Sequence, residues 1–279
     1  MNYRHLYHAG GFADAHKHAI LALLLGRLSE KATAIAVLDT HAGIGRYDLT
    51  SAAAQRTGEF RQGIGRLLAA AKAPASTQPY IAAVKAMNPD GGLRWYPGSP
   101  SLAATLTRPQ DRLVLMELHA EDALALKRAF AGDSRIAVHH EDGYLGLKAF
   151  LPPKERRGLV LIDPAFEATD EFERQAEAVV TAHRRWPAGI HALWYPIKEP
   201  AAVRRLHDVL RQSGIRKIML AELLVRAAGA SEGLHGSGLI VINPPWKLEE
   251  ALGELLPWLA ATLAQGPGAE GSWRWLVPE

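Results

Sequence analysis

An apolar run, Gly158-Leu159-Val160-Leu161-Ile162, stops on Asp163-Pro164-Ala165-Phe166. A carboxylate beside the rigid carbonyl of a proline can accept both hydrogens of an exocyclic amine, and a neighbouring aromatic ring such as Phe166 can stack on a planar base. Asp-Pro after a strand is also an ordinary turn, so the tetrapeptide has a purely conformational reading. Other apolar runs end in comparable chemistry. Ala36-Val37-Leu38-Asp39 leads into Thr40-His41-Ala42-Gly43-Ile44-Gly45, where small residues such as Gly43 let the backbone approach a nucleoside and its tail. Leu113-Val114-Leu115-Met116 ends on Glu117, an acid able to grip paired ribose hydroxyls. Ile136-Ala137-Val138-His139-His140 is followed by Glu141-Asp142-Gly143, where Asp142 can accept from an adenine amine and its neighbour Glu141 is the alternative.

Taken in order, the glycine loop, ribose acid, adenine acid and Asp-Pro motif fall at the carboxyl ends of successive strands, where ligands sit in open parallel sheets. A dinucleotide fingerprint fits less well, because Asp48 stands where its third glycine would fall. The set is similar to that of amino-group methyltransferases using S-adenosylmethionine, whose motif is (Asp/Asn)-Pro-Pro-(Tyr/Phe/Trp). Asn243-Pro244-Pro245-Trp246 matches that motif more literally. Its position after the last expected strand, in a terminal hairpin away from the cleft, favours Asp163 instead.

Further strands are expected at 189–196, 217–224 and 238–242, and helices at 121–130, 170–185 and 201–213. Alternation of the two predicts an α/β class: a Rossmann-like, mostly parallel sheet of seven strands. Gly45 and Glu117 are 72 positions apart, whereas such acids usually lie about 20 residues past the glycine loop. A small helical insertion at 47–97, with helices near 58–71 and 79–87, therefore separates a first part, 1–46, from the remainder, 98–279.

Composition narrows the class. The 279 residues are 48% hydrophobic and 22% charged, with no cysteine, which excludes disulfides, thiolate metal sites and a thiol nucleophile. No apolar stretch approaches the roughly 20 residues needed to span a bilayer, and the amino terminus lacks a secretory apolar region, so a cytoplasmic location is expected. Net charge is +3, but 46–94 holds seven basic residues against three acids and carries +4, leaving −1 elsewhere. That asymmetry suggests a phosphate-facing insertion, with Arg46, Arg56, Arg61 and Arg66 as candidates. A merely solvated surface is the alternative, since no aromatic stripe accompanies them. Four histidines lie within the first 18 residues. His16 and His18 face different sides of a helix and no acid pattern completes a ligand set, so no metal is expected. Asp14 reads as the cap of that helix.

Nearly end to end, the chain resembles the bacterial 23S ribosomal RNA adenine-N6 methyltransferase family. The resemblance runs through Tyr3-Arg4-His5, His8-Ala9-Gly10, Lys17-His18, Leu38-Asp39-Thr40-His41-Ala42-Gly43, Arg56-Thr57-Gly58-Glu59, Tyr96-Pro97-Gly98-Ser99-Pro100, Arg157-Gly158, Ala192-Leu193-Trp194-Tyr195-Pro196, Gly214-Ile215-Arg216-Lys217 and Val241 to Lys247. It implies a Rossmann-like methyltransferase domain, a helical insertion that helps hold RNA and a mobile amino-terminal tail closing over the site. The implied reaction is N6-methylation of one adenine of 23S ribosomal RNA, converting S-adenosylmethionine to S-adenosylhomocysteine. Cofactor contacts are implied for His18, His41, Ser99, Glu117, Asp142 with Gly143, and Asp163. Roles in substrate placement or catalysis are implied for Tyr3, His5, Lys17 and Asp163, and Arg4 is a further candidate RNA contact. Ala165 and Phe166 depart from the family's usual proline and tyrosine. A monomer without membrane or obligate protein partner is expected. Other acceptors, DNA adenine or protein glutamine, and a non-catalytic RNA-binding assembly role are the competing readings.

Overall fold

The computed structural model describes residues 4–227 and 233–279, so Tyr3 lies outside the described residues. After a short 3-10 turn at His5–Tyr7, helix α1 (Phe12–Ser29) leads to strand β1 (Ala36–Asp39). The insertion follows as β2 (Arg46–Asp48), α2 (Ala52–Thr57), α3 (Glu59–Gln62), α4 (Ile64–Ala69), α5 (Gln78–Ala86) and β3 (Trp95–Pro97). The chain continues through α6 (Ser99–Leu106), β4 (Arg112–Glu117), α7 (Ala120–Ala129), β5 (Ile136–His140), α8 (Gly143–Phe150) and β6 (Gly158–Ile162). It closes with α9 (Glu171–Arg185), β7 (Ile190–Ile197), α10 (Pro200–Gln212), β8 (Ile218–Leu224), β9 (Gly236–Ile242), α11 (Leu248–Leu263) and β10 (Glu270–Val277).

The main sheet has the order β10-β8-β9-β7-β6-β1-β4-β5. Strands β5, β4, β1, β6 and β7 run parallel, and β9 is antiparallel to both β7 and β8. Every residue of β1 and β6 is buried, as expected of central strands covered on both faces, which is why both read as continuous apolar runs. The eighth strand adds to the seven expected from sequence: β10 pairs antiparallel with β8 at the edge, where its alternating exposure gives a weak apolar signal.

Helix α1 is buried almost all round, including Asp14, His16, Lys17 and His18. Its buried leucines share one core with α11 and with Phe60, Ile64, Leu67, Tyr80 and Val84 of the insertion. The insertion opens and closes on an antiparallel ladder in which Tyr47 faces Tyr96 and Asp48 faces Trp95. The single helix expected over 58–71 is broken at Gly63, whose backbone is non-helical (φ −103°, ψ −110°) and lies so close to the Gly10 carbonyl that a Cβ there would overlap it; Ile64 N donates to that same oxygen at 2.8 Å. No helix among the described residues is long and apolar enough to cross a membrane.

The two Pro-containing motifs end up on opposite rims. Because β9 is antiparallel, its last residue, Ile242, pairs with His191 near the start of β7, away from the strand ends that carry Asp163. Asn243 does not follow the last strand, as expected, but sits between β9 and α11 in left-handed backbone (φ 55°). Its side-chain amide donates to the carbonyls of Pro187 at 2.6 Å and Gly189 at 2.9 Å. Asn243→Ala removes those donors and a residue suited to positive φ, so urea unfolding should show a loss of about 1–2 kcal/mol. Affinity for S-adenosylmethionine should not change; a selective loss of that affinity would contradict a structural role.

Candidate active site

A cavity of about 510 Å³ opens at the carboxyl ends of β1, β4 and β6, under the amino-terminal segment. Its wall brings together Arg4, His5, Lys17, His18, His41, Gly43, Ser99, Glu117, Asp142, Gly143 and Asp163 from among the residues singled out by sequence. Its size lies within the range of small-molecule pockets.

One half suits a nucleoside. Glu117 is oriented by two backbone amides, Gly43 N donating to Oε2 and His119 N to Oε1, each at 2.8 Å. Each oxygen keeps a lone pair for a vicinal hydroxyl. Gly43 is in left-handed backbone (φ 61°), and a Cβ there would strike the Tyr47 hydroxyl. Asp142 caps α8, its Oδ1 accepting from Tyr144 N at 2.8 Å and Leu145 N at 3.3 Å, while Oδ2 lies 3.8 Å from Arg174 Nη2. Gly143 lies against the carbonyl of Thr40, with no room for a side chain.

The other half suits a charged tail and a reacting amine. Burial pushes His41 down to about 4 and His18 down to about 3, so both rings are neutral at physiological pH. His18 Nδ1 lies 2.7 Å from the Tyr96 hydroxyl, which in turn meets Tyr80 at 2.9 Å. His18 Nε2 is buried, without a hydrogen-bond partner among the described residues, on a residue that lines the cavity. This orphaned atom and the paired acceptors of Glu117 fit the polar groups of S-adenosylmethionine.

At the amine end, Lys17 Nζ is held between Asp163 Oδ2 and Asp14 Oδ1, the latter at 3.0 Å. Burial alone would lower the Lys17 pKa, but the two carboxylates outweigh it and hold the group above its ordinary value. Asp14 likewise sits well below the carboxylate range, its burial outweighed by His5 and Lys17. Asp14 is not the first cap of α1, as expected, since Gly11 is; it stands in the first turn and reaches back, accepting from Gly10 N and His5 Nε2, both at 2.9 Å. The Trp194 ring centroid lies 5.9 Å from Lys17 Nζ.

The segment above is tied to the cavity rim. Arg4 meets Glu121 at 3.4 Å and Asp122 at 3.6 Å, which engages this candidate RNA contact with the protein itself. His8 donates to Glu59 at 2.8 Å, and that hydrogen bond raises the histidine's pKa against the effect of burial.

Not every expected residue enters the cavity. Phe166 turns away from it, packing against Phe172 (4.7 Å between centroids) and Trp194 (5.7 Å). Arg46, Arg56, Arg61 and Arg66 lie outside it on the insertion: Arg66 donates to the Ala264 carbonyl at the end of α11 at 2.6 Å, and Arg61 donates to Gln55. Conversely, Tyr144, Glu171 and Arg174 line the cavity and were not singled out, and Trp194 joins them from the Ala192-to-Pro196 stretch that carries the resemblance, where it had no role of its own. Tyr144 donates to buried Glu171 at 2.5 Å, and Arg174 reaches the same carboxylate at 3.3 Å. Only Tyr144 had a local signal, its place directly after Asp142-Gly143.

Asp39, just behind this wall, has its pKa raised by burial to about 6, against an opposing hydrogen bond from Ser99. A carboxyl whose folded pKa exceeds its unfolded one binds its proton more tightly when folded. Its cost to stability is therefore present above about 6 and fades as pH falls toward 3.8. Asp39→Asn should stabilise the cofactor-free protein by about 2–3 kcal/mol near neutral pH, and the gain should shrink on acidification. Thermal melts of both proteins across this range check the sign; a pH-independent difference would refute it.

The family described as ribosomal RNA large subunit methyltransferase D, RlmJ, matches residues 32–277. The chain is 44% identical to ribosomal RNA large subunit methyltransferase J of Escherichia coli (strain K12) over 279 residues, covering all of both chains. It is 43% identical to the protein of the same name from Haemophilus influenzae, again over the whole of both chains. A crystal structure of a protein from Legionella pneumophila str. Philadelphia 1 superposes with a TM-score of 0.88 at 33% identity, covering 96% of this chain and 97% of the other. At the level of fold alone, a probable spermidine synthase from Corynebacterium glutamicum shares the architecture, with a TM-score of 0.50 at 11% identity over 95% of this chain and 77% of that one. The sheet order and its flanking helices are the Rossmann-like methyltransferase arrangement, and the full-length identity completes the assignment: the chain belongs to the ribosomal RNA large subunit methyltransferase D, RlmJ, family.

Proposed function

We propose that the protein methylates the N6 amine of one adenine in 23S ribosomal RNA, with S-adenosylmethionine as donor and the target base turned out of its stack. Family membership supports ribosomal RNA methylation as the activity. The observation that carries the finer reading is the Lys17 ammonium fixed between Asp14 and Asp163 beside Pro164 at the cavity wall.

The bound cofactor supplies an electrophilic methyl group on its sulfonium sulfur. Asp163 uses Oδ2 for Lys17, which leaves Oδ1, with the Pro164 carbonyl, to accept the two amine hydrogens and localise the nitrogen lone pair. Two carboxylates against one ammonium leave the cluster with a net negative charge, suited to the positive charge that develops on nitrogen as the methyl group arrives. Lys17, whose ammonium form is stabilised by both acids, orients Asp163 and does not act as a base. The surplus proton passes to Asp163 or to solvent behind it. Stacking of the base falls to Phe166 after rotation from Phe172, or to Trp194, which already lines the wall. The family resemblance implies a role for Tyr3, with His5, in substrate placement or catalysis. The protein acts in this reading as a cytoplasmic monomer, without a metal.

Incubation with protein-free, unmodified 23S RNA and labelled S-adenosylmethionine, followed by digestion to nucleosides, should give labelled N6-methyladenosine at one position. Asp163→Ala should lower turnover by at least about 10²–10³-fold while cofactor affinity falls much less. Wild-type protein that binds cofactor but labels no RNA would overturn the reading in favour of DNA adenine, protein glutamine or an assembly role; unimpaired turnover by Asp163→Ala would overturn the mechanism.

A further inference from the structure

We infer that the outer face of the β2–β3 ladder is a clamp for an RNA backbone phosphate, built from Arg46 and Arg94 stacked on Trp95. This rests on the ribosomal RNA reading and assigns a point of contact for that substrate outside the cavity.

Strand alternation gives the ladder two faces. Tyr47 and Tyr96, opposite one another, point inward and are buried, and Tyr47 lines the cavity. Arg46 is exposed, and its guanidinium lies 4.2 Å from the centroid of Trp95. The Arg94 guanidinium lies 4.8 Å from the same centroid. Two like charges gathered on one ring repel each other, so their arrangement calls for an anion.

The protein supplies only part of that anion. Asp48 Oδ2 meets Arg94 at 3.2 Å, while its Oδ1 accepts from Thr50 N at 2.9 Å and Thr50 Oγ1 at 2.6 Å. Among the described residues Arg46 has no carboxylate partner, so a positive charge remains uncompensated. A guanidinium held over an aromatic ring makes that contact through its charge and can still donate N–H groups to a phosphate, which it can grip through two hydrogen bonds.

The platform is also held in place. Asn88 Oδ1 accepts from Trp95 N at 2.8 Å and Arg94 N at 2.9 Å, and Asn88 Nδ2 donates to the Trp95 carbonyl at 2.8 Å. The side chain therefore acts as a positioning residue for the start of β3. Gly98, just beyond this strand, lines the cavity, so a strand of RNA leaving the site has the clamp on its way out. Of the basic residues on the insertion, Arg66, Arg61 and Arg94 each donate to a protein acceptor, whereas Arg46 is exposed with no carboxylate partner among the described residues.

The test measures binding of full-length protein to protein-free 23S RNA over a series of salt concentrations, together with its affinity for S-adenosylmethionine. Arg46→Gln should raise the RNA Kd about tenfold and flatten the slope of log K against log salt by about one. Trp95→Leu, which keeps both charges but frees them, should also weaken binding, with Arg46→Gln deciding if that variant proves unstable. Cofactor affinity should match the wild type in each stable variant. Wild-type Kd and slope in Arg46→Gln would overturn the clamp while leaving the proposed function intact; a wild-type protein that neither binds nor methylates the RNA would overturn the function itself.

Discussion

A buried ammonium governs the architecture of this site. Lys17 lies on a helix with hardly any solvent contact, and a charge so placed is tolerated only with partners. One partner, Asp14, comes from the preceding turn of α1; the other, Asp163, arrives from the end of β6, 146 positions away. The pairing fixes α1 against the carboxyl rim of the sheet. It also fixes what precedes α1, because Asp14 simultaneously holds Gly10 N and His5 over the cavity. Docking of the helix, orientation of the Asp163 carboxylate and placement of the amino-terminal segment are thus one electrostatic arrangement.

Strand direction decides which motif can meet a cofactor. The parallel strands deliver Gly43, Glu117, Asp142 and Asp163 to one rim, where short hydrogen bonds to backbone amides aim the first three around a nucleoside-sized space. The antiparallel course of β9 sends Asn243-Pro244-Pro245-Trp246 to the other rim, where Asn243 ties down the turn before β7. The closer literal match to the amino-methyltransferase motif is therefore a structural cap, with Trp246 standing 84% exposed beyond it.

The insertion joins the site through close backbone contact as much as through side chains. Gly63 lets α3 and α4 bend around the Gly10 carbonyl, which couples the helical insertion to the same segment that Asp14 anchors. His8 and Glu59 add a second tie. The ladder of β2 and β3 has one aromatic face toward the cavity and one basic face toward solvent, so a single element can serve the cleft and the polymer outside it.

Local residue types alone determined the parallel-sheet class and the acid-tipped strands, because buried strands must be apolar and turns that approach a ligand must be small. The same signals singled out Glu117, Asp142 and Asp163. Tertiary structure alone decided the rest. Strand direction separated the two motifs, packing turned Phe166 toward Phe172, and burial made Asp14 a charge partner of Lys17 in addition to its hold on the helix start. Trp95 came to lie against Arg46 as well as against its own sequence neighbour Arg94, since Arg46 and Trp95 lie 49 positions apart and meet only across a ladder. Periodicity records how each element buries its own face; it carries no record of which distant charge or ring will be brought against it.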